Sequence, residues 1–314
     1  MMPAKIETFS QAPQGMALLD PRALAAVSRM ELVAKTVMDG YVQGLHKSPH
    51  IGFALDFAQH RQYVPGDDIK RIDWRVYAKA DRYYIKQYEV TTNLRAHLVV
   101  DASGSMKYQG RNDVMSKFRY AQFVTTCLAY LILHQQDSVG MVTFDTQIRA
   151  FIPARSASPH LFAIANALDA TTPGGDSGIS AVLHDVAERL GHRQLVVLIS
   201  DLFDNADQLL EAFHHLRHKR HEVIVLQIMA EDELSFPFRK FSLFENLEPA
   251  RGPAQRLKLD PATMRATYLE NVARHLKKIQ DACNAMRIGY SLFRTSESVD
   301  KTLTAYLARR MGSR

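Results

Sequence analysis

The sequence has little of what several large protein classes require. Its 314 residues include two cysteines, Cys127 and Cys283, far apart and each in a stretch of helical periodicity, which argues against both a disulfide framework and a zinc knuckle. No apolar run approaches the roughly 20 residues that cross a bilayer. The longest, such as Cys127-Leu128-Ala129-Tyr130-Leu131-Ile132-Leu133, has the length of a core helix. Residues 1–15 carry Lys5 and Glu7 and lack the continuous apolar stretch of a secretion signal, so the expected location is the cytoplasm. There is no Gly-x-Ser-x-Gly elbow and no phosphate-binding P-loop, hence no ATP site recognisable in the chain itself.

What is present is ordinary globular composition, 46% hydrophobic and 23% charged, in a chain long enough for one large α/β domain and an added module. The net charge of +6 would suit an acidic partner, but 39 basic residues are interleaved with 33 acidic ones and no aromatic-studded basic motif accompanies them. Nucleic-acid binding is therefore not expected.

Asp20-Pro21 opens a helix that ends near Gly40 or Gly44. Residues 51–95 then read as sheet-like and charged, with a turn at Tyr63-Val64-Pro65-Gly66-Asp67-Asp68 and a strand from Tyr83 to Tyr88. Residues 1–94 thus form an N-terminal helix with a small β-rich module. From residue 95 to 314 strands alternate with helices, which predicts a mostly parallel sheet covered on both faces. The strands are expected at 96–100, 138–144, 148–152, 195–200, 222–229 and 287–293. The helices are expected at 113–135, 158–168, 178–190, 206–218, 263–285 and 298–310. A short turn at Asp145-Thr146 makes 138–144 and 148–152 a hairpin with one antiparallel edge. Residues 230–261, broken by Pro237, Pro249, Pro253 and Pro261, read as an insertion.

The sharpest chemical signal is the apolar strand Leu98-Val99-Val100 running into Asp101-Ala102-Ser103-Gly104-Ser105. In open α/β sheets ligands bind beyond the carboxyl ends of the strands. A carboxylate and two hydroxyls at alternate positions of a tight turn can face one way, and such hard oxygens suit magnesium or calcium. A second strand, 195–200, ends in Asp201, and parallel topology could bring that carboxylate beside Asp101. Between them lies Gly174-Gly175-Asp176-Ser177-Gly178.

In this order the three elements resemble the metal-ion-dependent adhesion site of von Willebrand factor A domains. Asp101, Ser103, Ser105 and Asp201 match as they stand. In the middle element Ser177 takes the usual threonine's place if the following apolar residues are aligned, and Asp176 takes it if the glycine pair is. The resemblance implies a Rossmann-like von Willebrand factor A fold and a bound Mg2+, or Ca2+ or Mn2+, that takes an acidic partner residue.

A second stretch, from Arg61 and Tyr63 through Gly66, Asp67, Asp68, Arg71, Asp73 and Trp74 to Tyr88-Glu89, resembles the signature of the bacterial domain-of-unknown-function-58 family. The likeness runs from about residue 44 to residue 308. It implies a non-catalytic interaction or adaptor protein acting with a MoxR-type AAA+ ATPase on an unknown client. The charges around Trp74 read as a buried salt-bridge network.

Two other classes compete. A metal-dependent hydrolase could use Asp101 as nucleophile or ligand, although no second aspartate follows two residues later. A basic nucleic-acid-binding protein would need its positive charge gathered on one face. His214 and His218, one helical turn apart, read as a solvated helix end, because their cationic neighbours repel a metal.

Overall fold

The computed structural model describes residues 55–65, 67, 72–80, 82–90, 94–239, 242–245, 247, 256–259 and 261–312. The helix expected from Asp20, and Gly66, Asp68 and Arg71 of the signature, lie outside the described residues. The described residues fall into two compact units, a smaller one up to Val90 and a larger one from Leu94 onward.

In the smaller unit, β1 (Leu55–Gln62) pairs antiparallel with β2 (Tyr84–Val90), and α1 (Trp74–Ala80) lies between them in the chain. The sheet-like reading of this region missed α1. The helix starts where it does because Asp73 caps it: its Oδ1 accepts from the backbone N–H of Arg75 at 2.9 Å and of Val76 at 3.3 Å. Tyr77 stacks on Tyr83 with ring centroids 4.5 Å apart.

The larger unit is built on one six-stranded sheet. Its strands are β3 (Arg95–Asp101), β4 (Ser138–Phe144), β5 (Ile148–Arg155), β6 (Leu195–Ser200), β7 (Glu222–Met229) and, last in the chain, β10 (Gly289–Arg294). The order across the sheet is β10-β7-β6-β3-β4-β5. All neighbours are parallel except β4 with β5, the expected hairpin. Strands β3, β4, β6 and β7 are almost wholly buried, whereas β5 alternates half-buried and exposed residues as an edge strand should.

Two helical layers cover the sheet. On one face α4 (Ile179–Arg189), α5 (Ala206–His218) and the long α7 (Pro261–Ala285) close a core that includes Val99, Phe144, Leu183, Phe213 and Cys283. On the other, α2 (Lys117–His134) and α3 (His160–Ala170) pack on the strands, and α8 (Val299–Gly312) packs on α2. Among its described residues, the region read as an insertion holds a short helix, α6 (Glu231–Ser235), and a two-stranded hairpin of β8 (Ser242–Glu245) with β9 (Arg256–Leu259). Among the described residues no helix is long and apolar enough to cross a membrane.

Candidate functional site

Strand β3 occupies the middle of the sheet, between β4 and β6, and delivers Asp101 to its carboxyl edge with no exposed surface. The turn after it is tied back to the aspartate: the Ser103 N–H donates to Asp101 Oδ1 at 2.8 Å. A short 3-10 turn, Gly104–Lys107, follows, and the hydroxyls of Ser103 and Ser105 lie 3.1 Å apart. The three oxygen-bearing residues singled out in the sequence are thus gathered at one turn. Gly104 is required by close approach. A Cβ there would stand 2.1 Å from the Leu247 carbonyl oxygen and 2.9 Å from that of Gly175.

Parallel pairing of β6 with β3 brings in the second carboxylate. Ser200 at the end of β6 donates its hydroxyl to Asp101 Oδ2 at 2.6 Å, and fully buried Asp201 follows directly. Asp201 Oδ1 accepts from the Phe203 N–H at 3.2 Å. Leu202 between them is held at φ 59°, a conformation costly for a branched side chain. Burial, reinforced by the Asp201 charge, pushes the Asp101 carboxyl up to about 7.

The glycine-rich loop is laced to the same turn. Gly104 N–H donates to the Gly175 carbonyl and Gly174 N–H to that of Ala102, each at 2.8 Å. The edge hairpin braces it, since Arg149 donates to the carbonyls of Thr172 at 2.7 Å and Gly174 at 3.0 Å and is ion-paired with Asp145. Asp176 is half-buried. Ser177 is buried, and its hydroxyl has no hydrogen-bond partner among the described residues.

Reading the sequence for oxygen ligands missed a cation. Lys117, at the start of α2, has no exposed surface, and its ammonium donates to Asp201 Oδ2 and to Glu233 Oε1, both at 2.7 Å. It also faces the ring of Phe203, 5.1 Å from the centroid. Burial works against its charge, yet the two carboxylates hold its proton more tightly than in an ordinary lysine. Glu233 comes from α6, where its Oε2 also accepts from the Ala230 N–H at 2.8 Å; burial raises its pKa.

Among the described residues, fully buried Asp101 and Asp201 and the largely buried Glu233 thus form one group of carboxylates around the Lys117 ammonium. If all are ionised, the formal charge is minus two. Water is largely excluded, so that surplus must be met by protons or by a cation. A divalent ion would balance it. The adjacent hydroxyl pair and the unpartnered Ser177 hydroxyl are hard oxygens of the kind such an ion takes, so the residues present fit the group.

The family-signature residues behave differently. Arg61 donates to Asp67 Oδ1 at 2.8 Å, but the Arg61 side chain is 40% exposed, and Trp74 is 58% exposed. Val64 N–H and Arg61 hold the Asp67 carboxyl below the usual range. The Tyr63 N–H donates to the Tyr83 carbonyl at 2.9 Å. Asp73 is buried, as a helix cap whose other oxygen lies 2.9 Å from His60 Nε2, whereas Asp67 is half-buried. Of the charged network expected around Trp74, Asp67 sits in a half-exposed turn and Asp73 in a helix cap, while Asp68 and Arg71 lie outside the described residues. Near the basic helix end, His215 rather than His214 or His218 makes the cross-helix contact, its Nδ1 2.7 Å from that of His184.

The strand order, with a central β3, an antiparallel edge β5 and an Asp-x-Ser-x-Ser turn on the carboxyl edge, defines a von Willebrand factor A-type domain. The chain belongs to the family described as "Protein of unknown function DUF58", whose model matches residues 59–278. It is 26% identical over 262 residues to an uncharacterized protein of Mycobacterium tuberculosis, covering 82% of this chain and 80% of that one. A Mycobacterium bovis protein, also uncharacterized, matches to the same extent.

Solved structures show a fainter similarity. The conserved hypothetical protein BatB from Bacteroides thetaiotaomicron is 16% identical with a TM-score of 0.43, covering 70% of this chain and 100% of that one. The SpRpn10 VWA domain is 11% identical with a TM-score of 0.39, covering 69% and 95%.

Proposed function

We propose that this chain is a non-catalytic docking module whose β3 loop, at the carboxyl edge of the sheet, receives an acidic side chain of a partner protein. The observation that carries this reading is the buried surplus of carboxylates beside the Ser103 and Ser105 hydroxyls. Ser103, Ser105, Asp101 and Asp201 would hold Mg2+, or Ca2+ or Mn2+, with Ser177 rather than Asp176 supplying the middle hydroxyl. The bound ion would supply an open position for a carboxylate. Both Asp101 oxygens accept hydrogen bonds from the chain's own Ser103 and Ser200, which suits a positioning carboxylate better than a nucleophile.

The partner in this reading is a MoxR-type AAA+ ATPase, as the family resemblance implies, with the module linking it to a client. Immobilised wild-type protein, Asp101→Ala and Ser105→Ala would be exposed to extract of the source cell in magnesium or in EDTA, and bound proteins identified by mass spectrometry. The reading expects the ATPase with wild type in magnesium and its loss in the other arms. Equal recovery throughout would sink the metal-bridged contact, and absence of any AAA+ ATPase would sink the partnership.

A further inference from the structure

We propose that Lys117 is a resident counter-ion of the docking site, keeping the loop in shape without a divalent ion and weakening the loop's hold on one. This rests on the docking reading above and concerns how that site is loaded. The position of Lys117 is electrostatically expensive. It is the first residue of α2, after the cap Ser116, where the helix dipole favours an anion over a cation. It is also fully buried, which an unpaired ammonium does not tolerate. The carboxylates offset most of both costs, through the 2.7 Å contacts to Asp201 Oδ2 and Glu233 Oε1, and the Phe203 ring adds a cation–π contact.

One end of this arrangement lies inside the proposed ion site. Asp201 is shared: its Oδ2 is held by the ammonium, while its charge reaches Asp101. An ion at the loop would therefore face one carboxylate already half neutralised and a positive charge beyond it. The other end is anchored outside. Glu233 is fixed through Oε2 to the Ala230 backbone, and neighbouring Asp232 accepts from the Tyr108 hydroxyl at 3.3 Å and the Arg111 N–H at 2.8 Å, leaving Lys117 to Asp201 and Glu233. The ammonium is thus held in place by α6 and cannot be displaced simply by an arriving ion. Such a site fills weakly from ion alone and gains when a partner carboxylate arrives with it.

The test uses the full chain, with MnCl2 as titrant in calorimetry and thermal melting in EDTA or in excess Mg2+. Lys117→Met removes the charge while keeping much of the volume. It should bind Mn2+ about tenfold tighter or more, since a unit charge a few ångströms away costs a divalent ion at least that much even when well screened. It should also melt well below wild type in EDTA and recover much of the loss in Mg2+. Glu233→Gln provides a second arm if Lys117→Met folds poorly. It leaves the ammonium to Asp201 alone and should weaken Mn2+ binding several-fold.

Mn2+ affinity in Lys117→Met equal to or below that of wild type would overturn the proposal. So would a melting temperature in EDTA that the substitution leaves unchanged, or unchanged Mn2+ binding in Glu233→Gln. Tighter Mn2+ binding by Lys117→Met together with equal partner recovery in every arm of the extract experiment would leave this assignment standing and remove only the metal-bridged docking.

Discussion

Ser200 links the two carboxylate-bearing strands, and removing its hydroxyl tests whether the carboxyl edge is built as described. The side chain is fully buried, donates to Asp101 Oδ2 at 2.6 Å and accepts from the Leu202 N–H at 2.9 Å. In Ser200→Ala the first loss is a hydrogen bond to a carboxylate, worth about 1.5–3 kcal/mol, and the second strands a buried N–H at about 1–3 kcal/mol. The two share one atom and overlap, so about 3–4 kcal/mol is expected. For a unit of this size that lowers the melting temperature by roughly 6–16 °C. Ser180→Ala is the matched control, because the Ser180 hydroxyl is buried with no partner among the described residues and its removal should be neutral or slightly stabilising. Urea unfolding of the three proteins at pH 7.5 decides. A Ser200→Ala cost under about 1 kcal/mol, or an equal cost at Ser180, would refute the reasoning.

Two further outcomes follow from buried titratable groups. His97 is 4% exposed, and burial pushes its pKa down from 6.5 to about 4. The unfolded chain therefore binds a proton that the folded one refuses between those values, and stability falls as pH drops from 6.5 towards 4, by up to about 3 kcal/mol. Urea midpoints at pH 7.5 and 5 should show that slope in wild type and a shallower one in His97→Gln; parallel slopes would discard the assignment. Burial likewise pushes Cys127 and Cys283 up to about 12, so a disulfide reagent at pH 8 should find no reactive thiol in the native protein and two after denaturation. Rapid labelling of either thiol in the native state would contradict the packing of α2 or α7.

The sheet of the larger unit was legible because its strands are short apolar runs buried on both faces, a pattern that local sequence states directly. Strands β4, β6 and β7 fall on the expected residues, and helix α5 does too. Where the signal is weaker, the expectation falls short. Strand β5 continues to Arg155, three residues past the expected end, because an edge strand alternates and does not run apolar. Helix α1 escaped notice because at seven residues it is too short to display a period, although Asp73 before it is a cap signal in retrospect. The hairpin β8–β9 was hidden by the prolines around it, its strands being four residues each.

The site divides along a physical line. Asp101, Ser103 and Ser105 lie on one turn, and Asp201 follows a strand that parallel pairing must place nearby, so spacing and topology together identify them. Lys117 and Glu233 have no such signature: one reads as an ordinary helix start, the other as part of an insertion, and they are 116 residues apart in the chain. Their meaning exists only once burial is known, because an ammonium in water needs no partner whereas a fully buried one needs two. The same holds for the histidines. Along α5, His214 and His218 suggest a pair by spacing, yet the contact made is His215 with His184 on α4, a choice set by the crossing of two helices. Oxygen-bearing residues gathered on a loop can thus be read from spacing, but the charges beside them are set by tertiary packing. Under the proposed docking reading, the strength with which this loop would hold an ion must accordingly be sought in α2 and α6 as much as in the motif itself.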